Sequence, residues 1–306
     1  MIKQLQSKRK ELSLKMEEVY NLLGITRQGH YYRTLVKGKE QLLMEQIKEE
    51  VQQYRRTKER RAGSRSLYYN LDIKSKYQIG VSKFESLMSA HKLTLLPLRT
   101  RVVTTQSSLQ SWNYKNLANG LKINGINQIV AGDLTYIFIG SQLFYLFCLT
   151  DLYSNRIVGY CLSDRQRAKE ARQALDMWIE LRGVTHLHFC IHHTDGGSQY
   201  FAKLYLNWML ANHIRPSVAQ NCLQNGHAEQ KNSLLKHHLI PTAEFQDLNQ
   251  FQMEIKRIIT FYNEVRKQKA LGWRSPLEYE TYIESLQPEQ RPIKTLYDFS
   301  EDPKAT

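Results

Sequence analysis

Cysteine is scarce in this sequence, and long apolar runs are missing altogether. The four cysteines form no CxxC pair and no closely spaced framework; they are Cys148, Cys161, Cys190 and Cys222. This pattern argues against a disulfide scaffold and favours reduced thiols. No stretch approaches the roughly 20 consecutive apolar residues of a membrane helix, and the polar start MIKQLQSKRK lacks the apolar segment of a secretory signal. We therefore expect a cytoplasmic protein without a membrane partner.

Acidic residues are also scarce in the first third of the chain. Residues 1–104 contain 22 Lys and Arg against 10 Asp and Glu, whereas the remaining residues contain 21 against 19. The net charge of +14 is therefore concentrated in this first third, where it suits contacts with the phosphates of a nucleic acid. A solvated basic surface that only aids solubility explains the charge equally well.

The first third is predicted to be all-helical. MEEVYNLL has apolar residues at helical spacing, Gly24 interrupts the pattern, and Thr26 can cap a second helix through RQGHYYRTL. Helix, turn and helix over residues 1–38 have the outline of a helix-turn-helix. A second helical region, predicted over residues 39–95, begins after Lys37-Gly38-Lys39 with the longer pattern QLLMEQIKEEVQQYRRTKERR. Residues 96–121 are rich in polar residues and predict a linker.

Residues 122–285 change to strands and then to alternating strands and helices. IVAGDLTYIFI, LFYLFCLTDLY and RIVGYCLSD are rich in β-branched and aromatic residues and predict a three-stranded antiparallel meander. Strand and helix patterns alternate after it, which predicts an α/β domain with a mixed sheet flanked by helices. This order is expected of an RNase H-like core that follows the all-α region, and residues 286–306 are left as a C-terminal tail.

Three acidic residues are candidates for one shared site. Asp133 lies on the first predicted strand, Asp195 directly follows the fourth, and Glu229 lies on a late helix that could pack over the sheet. Two carboxylates about 4 Å apart repel by roughly 4 kcal/mol at an effective dielectric constant near 20, so such a cluster requires a cation. Oxygen ligands select Mg²⁺ or Mn²⁺ over zinc. Each residue taken alone has an ordinary structural explanation, and the rival Asp151 is interpreted as a supporting or structural residue.

Five sequence blocks, taken together and in order, carry a family resemblance between about Asn127 and Tyr282. The blocks are GDLTYI, LFYLFCLTDLYSNRIVGY, HHTDGGSQY, NGHAEQKNSLLK and FYNEVRKQKALGWRSPLEYE. They resemble the OrfB-type transposases of bacterial insertion sequences, which are members of the retroviral-integrase superfamily. The helical first third resembles, more loosely, the helix-turn-helix regions that precede such catalytic cores.

The resemblance implies both a reaction and its site. It implies that Asp133, Asp195 and Glu229 are the catalytic carboxylates and that they bind two Mg²⁺ or Mn²⁺ ions. They would cleave DNA strands at the ends of an insertion sequence and join a freed 3′-hydroxyl to a new phosphodiester. The implied partners are double-stranded DNA, as terminal repeats and target, a homo-oligomer on that DNA, and an upstream OrfA protein or a fusion with it. The implied location is the nucleoid.

Seven residues are candidates for DNA contacts. Lys236 follows Glu229 by seven positions, which predicts the same helix face, and Asn225 fits the turn that enters this helix. Basic side chains of the helical first third complete the set: Arg27, Arg55, Arg56, Arg60 and Arg61. A solvated lysine is an equally good explanation of Lys236.

Three alternatives stay open at this point. Alternation along HLHFCIHH would place His186, His188, Cys190 and His192 on one strand face, which could suggest zinc. A structural strand is favoured, because no second ligand cluster follows with finger-like spacing. A catalytically inactive DNA-binding regulator, or the remnant of a transposase, would keep the basic helices without the reaction. A nuclease acting on RNA–DNA hybrids would share the metal chemistry but would leave the helical first third unexplained.

Overall fold

The computed structural model describes residues 15–96, 114–219, 226–241, 245 and 247–297. In these ranges no helix is both long enough and apolar enough to cross a membrane. The linker predicted over residues 96–121 lies mostly outside the described residues, as does the end of the predicted tail.

The first third is all-helical over residues 15–96, which are the part of it that the structure describes. Its helices are α1 (Met16–Leu22), α2 (Arg27–Thr57), α3 (Ser64–Asn70), α4 (Ile73–Tyr77) and α5 (Val81–Ala90). Gly24 makes the turn between α1 and α2 with a φ of 59°, a left-handed conformation that glycine adopts without steric cost. The Thr26 side chain accepts a hydrogen bond from the backbone N–H of Gly29 and so caps α2. Residues 16–57 therefore contain a helix, a turn and a second helix, and their role as a DNA-binding helix-turn-helix stays a prediction.

Helix α2 does not break at Gly38, and the separation predicted there is wrong. It runs for 31 residues across the predicted boundary between residues 38 and 39. One glycine inside a helix costs about 1 kcal/mol relative to alanine. Burial of one face, with Met44, Ile47 and Val51 at most 2% exposed, outweighs that cost, because each fully buried side chain of this size contributes roughly 1.5–3 kcal/mol.

A five-stranded mixed sheet forms the centre of the remaining structure. After the short β1 (Lys122–Ile123), its strands are β2 (Ile129–Ile139), β3 (Gln142–Asp151), β4 (Ile157–Ser163), β5 (Ile191–Thr194) and β6 (Arg215–Val218). The order across the sheet is β4-β3-β2-β5-β6. Strands β2, β3 and β4 pair antiparallel, which confirms the meander, and β5 and β6 add to it in parallel. This is the arrangement predicted for an RNase H-like core.

Helices cover both faces of the sheet. One face carries α6 (Ala168–Arg182), α7 (Ser198–Phe201) and α8 (Lys203–Ala211). The approach of α6 is so close that a Cβ at Gly159 on β4 would overlap the carbonyl oxygen of Ala174. The other face carries α9 (Gly226–Leu234), a π-helical segment (Leu235–Leu239) that continues it, and α10 (Leu248–Glu264). Helix α11 (Pro276–Glu284) follows α10 in the chain.

The segment HLHFCIHH is a strand only in its last part. A 3₁₀ helix spans Val184–Leu187, and β5 begins at Ile191. His186 and His188 therefore lie outside the strand, and the single strand face predicted for the four candidate zinc ligands is wrong. His188 and Phe189 form a turn, and Phe189 has a φ of 64°, so alternation along one strand does not extend through this segment.

The helical first third and the sheet share one hydrophobic core. Ile47 of α2 and Phe84 of α5 belong to the same buried cluster as Leu235 and Phe251, which pack on the sheet. A buried ion pair joins the two parts as well: Glu59, only 2% exposed, pairs with Arg266 just after α10. The first third is therefore packed onto the sheet and its helices along a continuous apolar interface.

Part of the predicted tail belongs to the core. Strand β7 (Lys294–Thr295) pairs antiparallel with β1. The next two residues, Leu296 and Tyr297, are buried against Ile123 and Tyr279. The structured domain thus extends past residue 285 to residue 297.

Candidate active site

Asp133 and Asp195 lie next to each other at the middle of the sheet. Strands β2 and β5 pair in parallel, and their last paired residues are Gly132 and Thr194. Asp133 is the next residue of β2, Asp195 directly follows the end of β5, and neighbouring strands lie about 4.7–4.9 Å apart. The parallel pairing therefore brings together two carboxylates that are 62 positions apart in the sequence.

The carboxylate of Asp133 faces helix α9. The side-chain amide of Asn232 donates a 2.7 Å hydrogen bond to Asp133 Oδ2, and the backbone N–H of Leu134 donates a 2.9 Å bond to Oδ1. A carboxylate oxygen has two lone pairs, so an aspartate that accepts hydrogen bonds can also bind a cation. Asn232 was missed at the sequence level, although its position three residues after Glu229 places it one helical turn along the same face.

Asp195 is half-buried at the end of β5. Burial raises the pKa of its carboxyl above the ordinary value, and a 3.1 Å hydrogen bond from the Gly197 backbone N–H partly counteracts this. A carboxylate that is partly withdrawn from water gains more from a nearby cation than an exposed one does. This environment suits a metal ligand.

Two tyrosine hydroxyls lie close enough to both Asp133 and Asp195 for the charges of these carboxylates to affect their pKa values. Burial raises the pKa of Tyr200 well above its usual range, and the charges of Asp195 and Asp133 both add to this effect. The same two carboxylates also raise the pKa of Tyr136, after burial and Tyr145. Among the described residues, the buried hydroxyl of Tyr200 has no hydrogen-bond partner. A polar group is thus left unpaired beside the two carboxylates, where a hydrated cation would satisfy it.

A buried histidine fixes the strand that carries Asp133. His192 on β5 lies 3.2 Å from the Val130 carbonyl oxygen through Nδ1 and 2.7 Å from the Tyr205 hydroxyl through Nε2. Burial lowers its pKa to about 4, so the ring is neutral at pH 7. The ring also crosses Gly132, where a Cβ would lie 2.7 Å from His192 Cε1. Glycine before Asp133 is therefore required for this close packing.

Glu229 lies on α9, the helix that packs against β2. Its side chain is outside the part of the chain that the structure describes, and Asn225 lies outside that part altogether. Lys236 is half-buried in the π-helical segment, where the wider turn alters the angular spacing predicted for an α-helix.

Lys231 is a second cationic residue that the sequence analysis did not single out. It lies between α9 and α10, where its ammonium group donates to the Tyr262 hydroxyl and sits 4.7 Å from the centre of the Tyr262 ring. Burial lowers its pKa to about 7, and the charges of Arg266 and Lys294 contribute to this lowering.

The predicted basic DNA contacts fall into two groups. Arg27 and Arg56 are exposed on α2. The other three donate hydrogen bonds to backbone carbonyls: Arg55 to Ala62 and Leu93, Arg60 to His237, and Arg61 to Leu96. Side chains held in this way stabilise the packing of the helical region, and they are less available for phosphates than Arg27 and Arg56 are.

Asp151 has a structural role. It is fully buried and accepts hydrogen bonds from the backbone N–H groups of Asn127, Tyr153 and Ser154 at 2.7–2.9 Å. The Ser154 hydroxyl continues this network to Glu280, which pairs with Arg156 and Arg182. Its oxygens are therefore occupied by the turn between β3 and β4, and the interpretation of Asp151 as a supporting residue agrees with these contacts.

The donor set at the site fits a hard divalent cation. Asp133 and Asp195 offer oxygen ligands only, which favour Mg²⁺ or Mn²⁺. No group of three or more His, Cys, Asp or Glu side chains that could hold a metal ion occurs among the residues that the structure describes. A complete site therefore needs at least one further ligand beyond this pair, and zinc binding by the histidines of HLHFCIHH has no support in this region.

Comparisons with known proteins concern the same part of the chain. Two family models, both described as integrase core domain, match residues 124–221 and 212–276. The transposase for insertion sequence element IS904 of Lactococcus lactis is 33% identical over 172 residues, which cover 55% of this chain and 67% of that protein. A putative transposase for IS986/IS6110 of Mycobacterium tuberculosis is 29% identical over 160 residues, which cover 50% of this chain and 58% of that protein.

Solved structures give a more distant match. The HTLV-2 integrase catalytic core domain in complex with magnesium is 16% identical, with a TM-score of 0.39, and the match covers 54% of this chain and 99% of that one.

Proposed function

Because this chain belongs to the integrase-core transposases of bacterial insertion sequences, we propose that it cleaves DNA strands at the ends of an insertion sequence and joins them to target DNA. The observation that carries this proposal is the placement of Asp133 and Asp195 at adjacent positions of β2 and β5, beneath helix α9. We assign the reaction to these two carboxylates together with Glu229.

Helical geometry supports the assignment of Glu229. Asn232 contacts Asp133 directly, so its face of α9 points toward the carboxylates. Glu229 precedes Asn232 by three residues, and residues three apart lie on the same face of a helix, about 5–6 Å apart at their Cβ atoms. We therefore assign Glu229 to the face of α9 that points toward the space between Asp133 and Asp195.

The metal site follows from this trio. We assign Asp133, Asp195 and Glu229 as ligands of two Mg²⁺ or Mn²⁺ ions, which supply activation of the attacking oxygen and stabilisation of the leaving oxygen in an in-line displacement at phosphorus. The Asn232 amide holds Asp133 in the orientation that faces this space, and the Gly197 N–H does the same for Asp195. His192 keeps β2 and β5 in register beneath them.

We assign the DNA contacts to the side chains that are free to make them. Arg27 and Arg56 are exposed on α2, and Lys236 lies in the π-helical segment that continues the helix of Glu229; Asn225 is retained from the sequence analysis. Arg55, Arg60 and Arg61 support that surface through their bonds to backbone carbonyls. The partners that we propose are double-stranded terminal repeats and target DNA, a homo-oligomer on this DNA, and an OrfA protein or fusion.

The test compares Asp195→Asn with a matched control, Asp164→Asn, which removes an exposed carboxylate far along the chain from the trio. Purified proteins are incubated with Mn²⁺ or Mg²⁺ and DNA that carries the terminal repeats of the element, and nicked and joined products are quantified. We expect Asp195→Asn to lose at least about 10³-fold in rate, because an ion held by carboxylates contributes several kcal/mol. Asp164→Asn should stay within about 2-fold, and DNA affinity should change little in either variant.

Two results would contradict the proposal. Wild-type protein that binds terminal-repeat DNA but neither nicks nor joins it with either metal would favour an inactive DNA-binding regulator. Equal activity in Asp195→Asn and wild type would remove Asp195 from the reaction.

A further inference from the structure

A cavity of about 640 Å³ lies beside α9, at the junction of the helical first third, the end of α10 and the β1–β7 pair. Five cationic side chains and no acidic side chain line it; they are Lys231, Arg266, Lys267, Lys269 and Lys294. We call it the cationic cavity. Its volume falls within the range of about 300–1,000 Å³ for pockets that hold drug-sized ligands.

Most of this positive charge is not neutralised by the protein. Arg266 is paired with Glu59. Lys294 donates a 2.6 Å hydrogen bond to the backbone carbonyl oxygen of Tyr153. A carbonyl group has no net charge, so this bond does not neutralise the lysine. Neither Lys267 nor Lys269 forms an ion pair with any carboxylate in the described ranges. Like charges around one cavity repel each other, and an anion bound among them would relieve this repulsion.

The cavity also offers a neutral donor and an aromatic wall. The Gln268 side chain accepts a hydrogen bond from Asn155 through its oxygen. Its side chain also hydrogen-bonds the Tyr262 hydroxyl, so its amide nitrogen lies at the cavity wall with other polar groups. Trp273, which lines the cavity, stacks on Tyr69 with ring centres 3.8 Å apart. Cations, an amide N–H donor and a fixed indole are the groups that bind a phosphate together with the sugar or base attached to it.

The position of the cavity relates it to the catalytic helix. Gln230, which follows Glu229 in the sequence, lines the cavity together with Lys231 and Leu234 of the same helix. Asn232 of the same helix contacts Asp133, so α9 borders both the cavity and the carboxylates, and a DNA strand that passes along this helix can contact both.

We propose that the cationic cavity binds a phosphate group of the DNA strand that is held at the active site. This inference rests on the proposed function, because it takes the strand to be the substrate of the carboxylate trio. Free inorganic phosphate has the same charge chemistry, so the experiment separates the two sources.

The test uses the double variant Lys267→Ala/Lys269→Ala in the full chain. Lys269 is exposed and Lys267 half-exposed, and the bonds that link Lys267 to Asn70 use its backbone N–H and carbonyl groups. Truncation of both side chains should therefore leave the fold intact. The matched control is Lys169→Ala/Lys203→Ala, which removes two exposed lysines of α6 and α8 from the opposite face of the sheet. Lys267→Arg/Lys269→Arg keeps the charge at the cavity.

The affinity of each protein for terminal-repeat DNA is measured as a function of salt concentration. Each lost phosphate contact reduces the slope of log affinity against log salt by about 0.9 for duplex DNA or about 0.7 for a single strand. We expect a reduction of about 0.7–1.8 for the cavity variant, no change for the control, and a wild-type slope for the arginine variant. Titration with inorganic phosphate alone, followed by calorimetry, runs in parallel.

The outcomes separate the two proposals. An unchanged slope in the cavity variant overturns this inference, whatever the protein does to DNA. Phosphate binding that the cavity variant loses, with an unchanged DNA slope, means that the cavity holds free phosphate and overturns the assignment to a strand. A reduced slope in a protein whose wild type neither cleaves nor joins DNA supports the cavity and refutes the catalytic proposal alone.

Discussion

The buried carboxylate of Glu59 holds the helical first third against the catalytic fold, and Glu59→Gln tests how strongly. Glu59 Oε2 lies 2.9 Å from Arg266 Nε, and Oε1 lies 3.1 Å from Arg266 Nη2. His238 Nδ1, in the π-helical segment after α9, lies 3.4 Å from Oε1. Removal of one partner from a buried ion pair costs about 3–5 kcal/mol, because the remaining charge is left without compensation.

We expect Glu59→Gln to lower the free energy of unfolding by about 3–5 kcal/mol in urea titrations. The matched control is Glu85→Gln, whose partner Arg65 lies 2.8 Å away with 58% of its side chain exposed. Exposed pairs contribute about 0–1 kcal/mol, so this variant should lose no more than that. Equal losses below about 1 kcal/mol in both variants would refute the reasoning, since burial would then make no difference.

The carboxyl group of Glu59 also makes the stability of the folded state depend on pH. Burial alone would raise the pKa of Glu59, but the hydrogen bonds and charges of His238 and Arg266 outweigh burial and hold the pKa below its ordinary value of 4.5. A carboxyl with a lowered pKa stabilises the folded state above its ordinary pKa, and this contribution is lost as the pH falls through the folded-state value. Wild-type stability should therefore decline below about pH 4.5, and the difference between wild type and Glu59→Gln should shrink over that interval.

Three further variants separate structural roles from binding roles. In Asp151→Asn the amide NH₂ cannot accept the bond from a buried backbone N–H, so we expect a loss of about 1–3 kcal/mol in urea titrations with unchanged Mn²⁺ affinity; lost Mn²⁺ binding at unchanged stability would instead make Asp151 a ligand. Arg55→Ala should cost about 1–3 kcal/mol of stability and leave the salt slope of DNA binding unchanged, because its guanidinium is bonded to two backbone carbonyls. Arg56→Ala should do the opposite, with a slope reduced by about 0.9, and equal slopes in the two arginine variants would contradict this division.

The sheet could be predicted from the sequence because its signals are local. Alternating and β-branched residues define β2, β3 and β4, and the turns between them are short. The order of the strands then predicts that Asp133 lies on β2 and that Asp195 follows the end of β5. Adjacency of the two carboxylates depends on the parallel pairing of β2 with β5, which the RNase H-like order already contained.

Other features depended on contacts between distant residues, which no local pattern encodes. Gly38 predicts a break, yet the buried face of α2 keeps the helix continuous. Arg55 looks like any other cation of a basic cluster until Ala62 and Leu93 present their carbonyls to it. Asn232 contacts Asp133, which is 99 positions away in the sequence. Lys231 contacts Tyr262, which is 31 positions away. The strand predicted for HLHFCIHH was wrong in its first part, because a 3₁₀ helix over Val184–Leu187 interrupts the alternation.

The apolar cluster that Ile47 and Phe84 share with Leu235 and Phe251 bears on how shortened versions of this protein can be made. A fragment that contains only the region matched by the integrase-core models would lack the helices that cover Leu235 and Phe251, so these apolar side chains would be exposed to water. The guanidinium of Arg266 would also lose its partner Glu59. Such fragments should self-associate. A fragment that begins before residue 44 would avoid this, because it retains the helices that bury the apolar cluster.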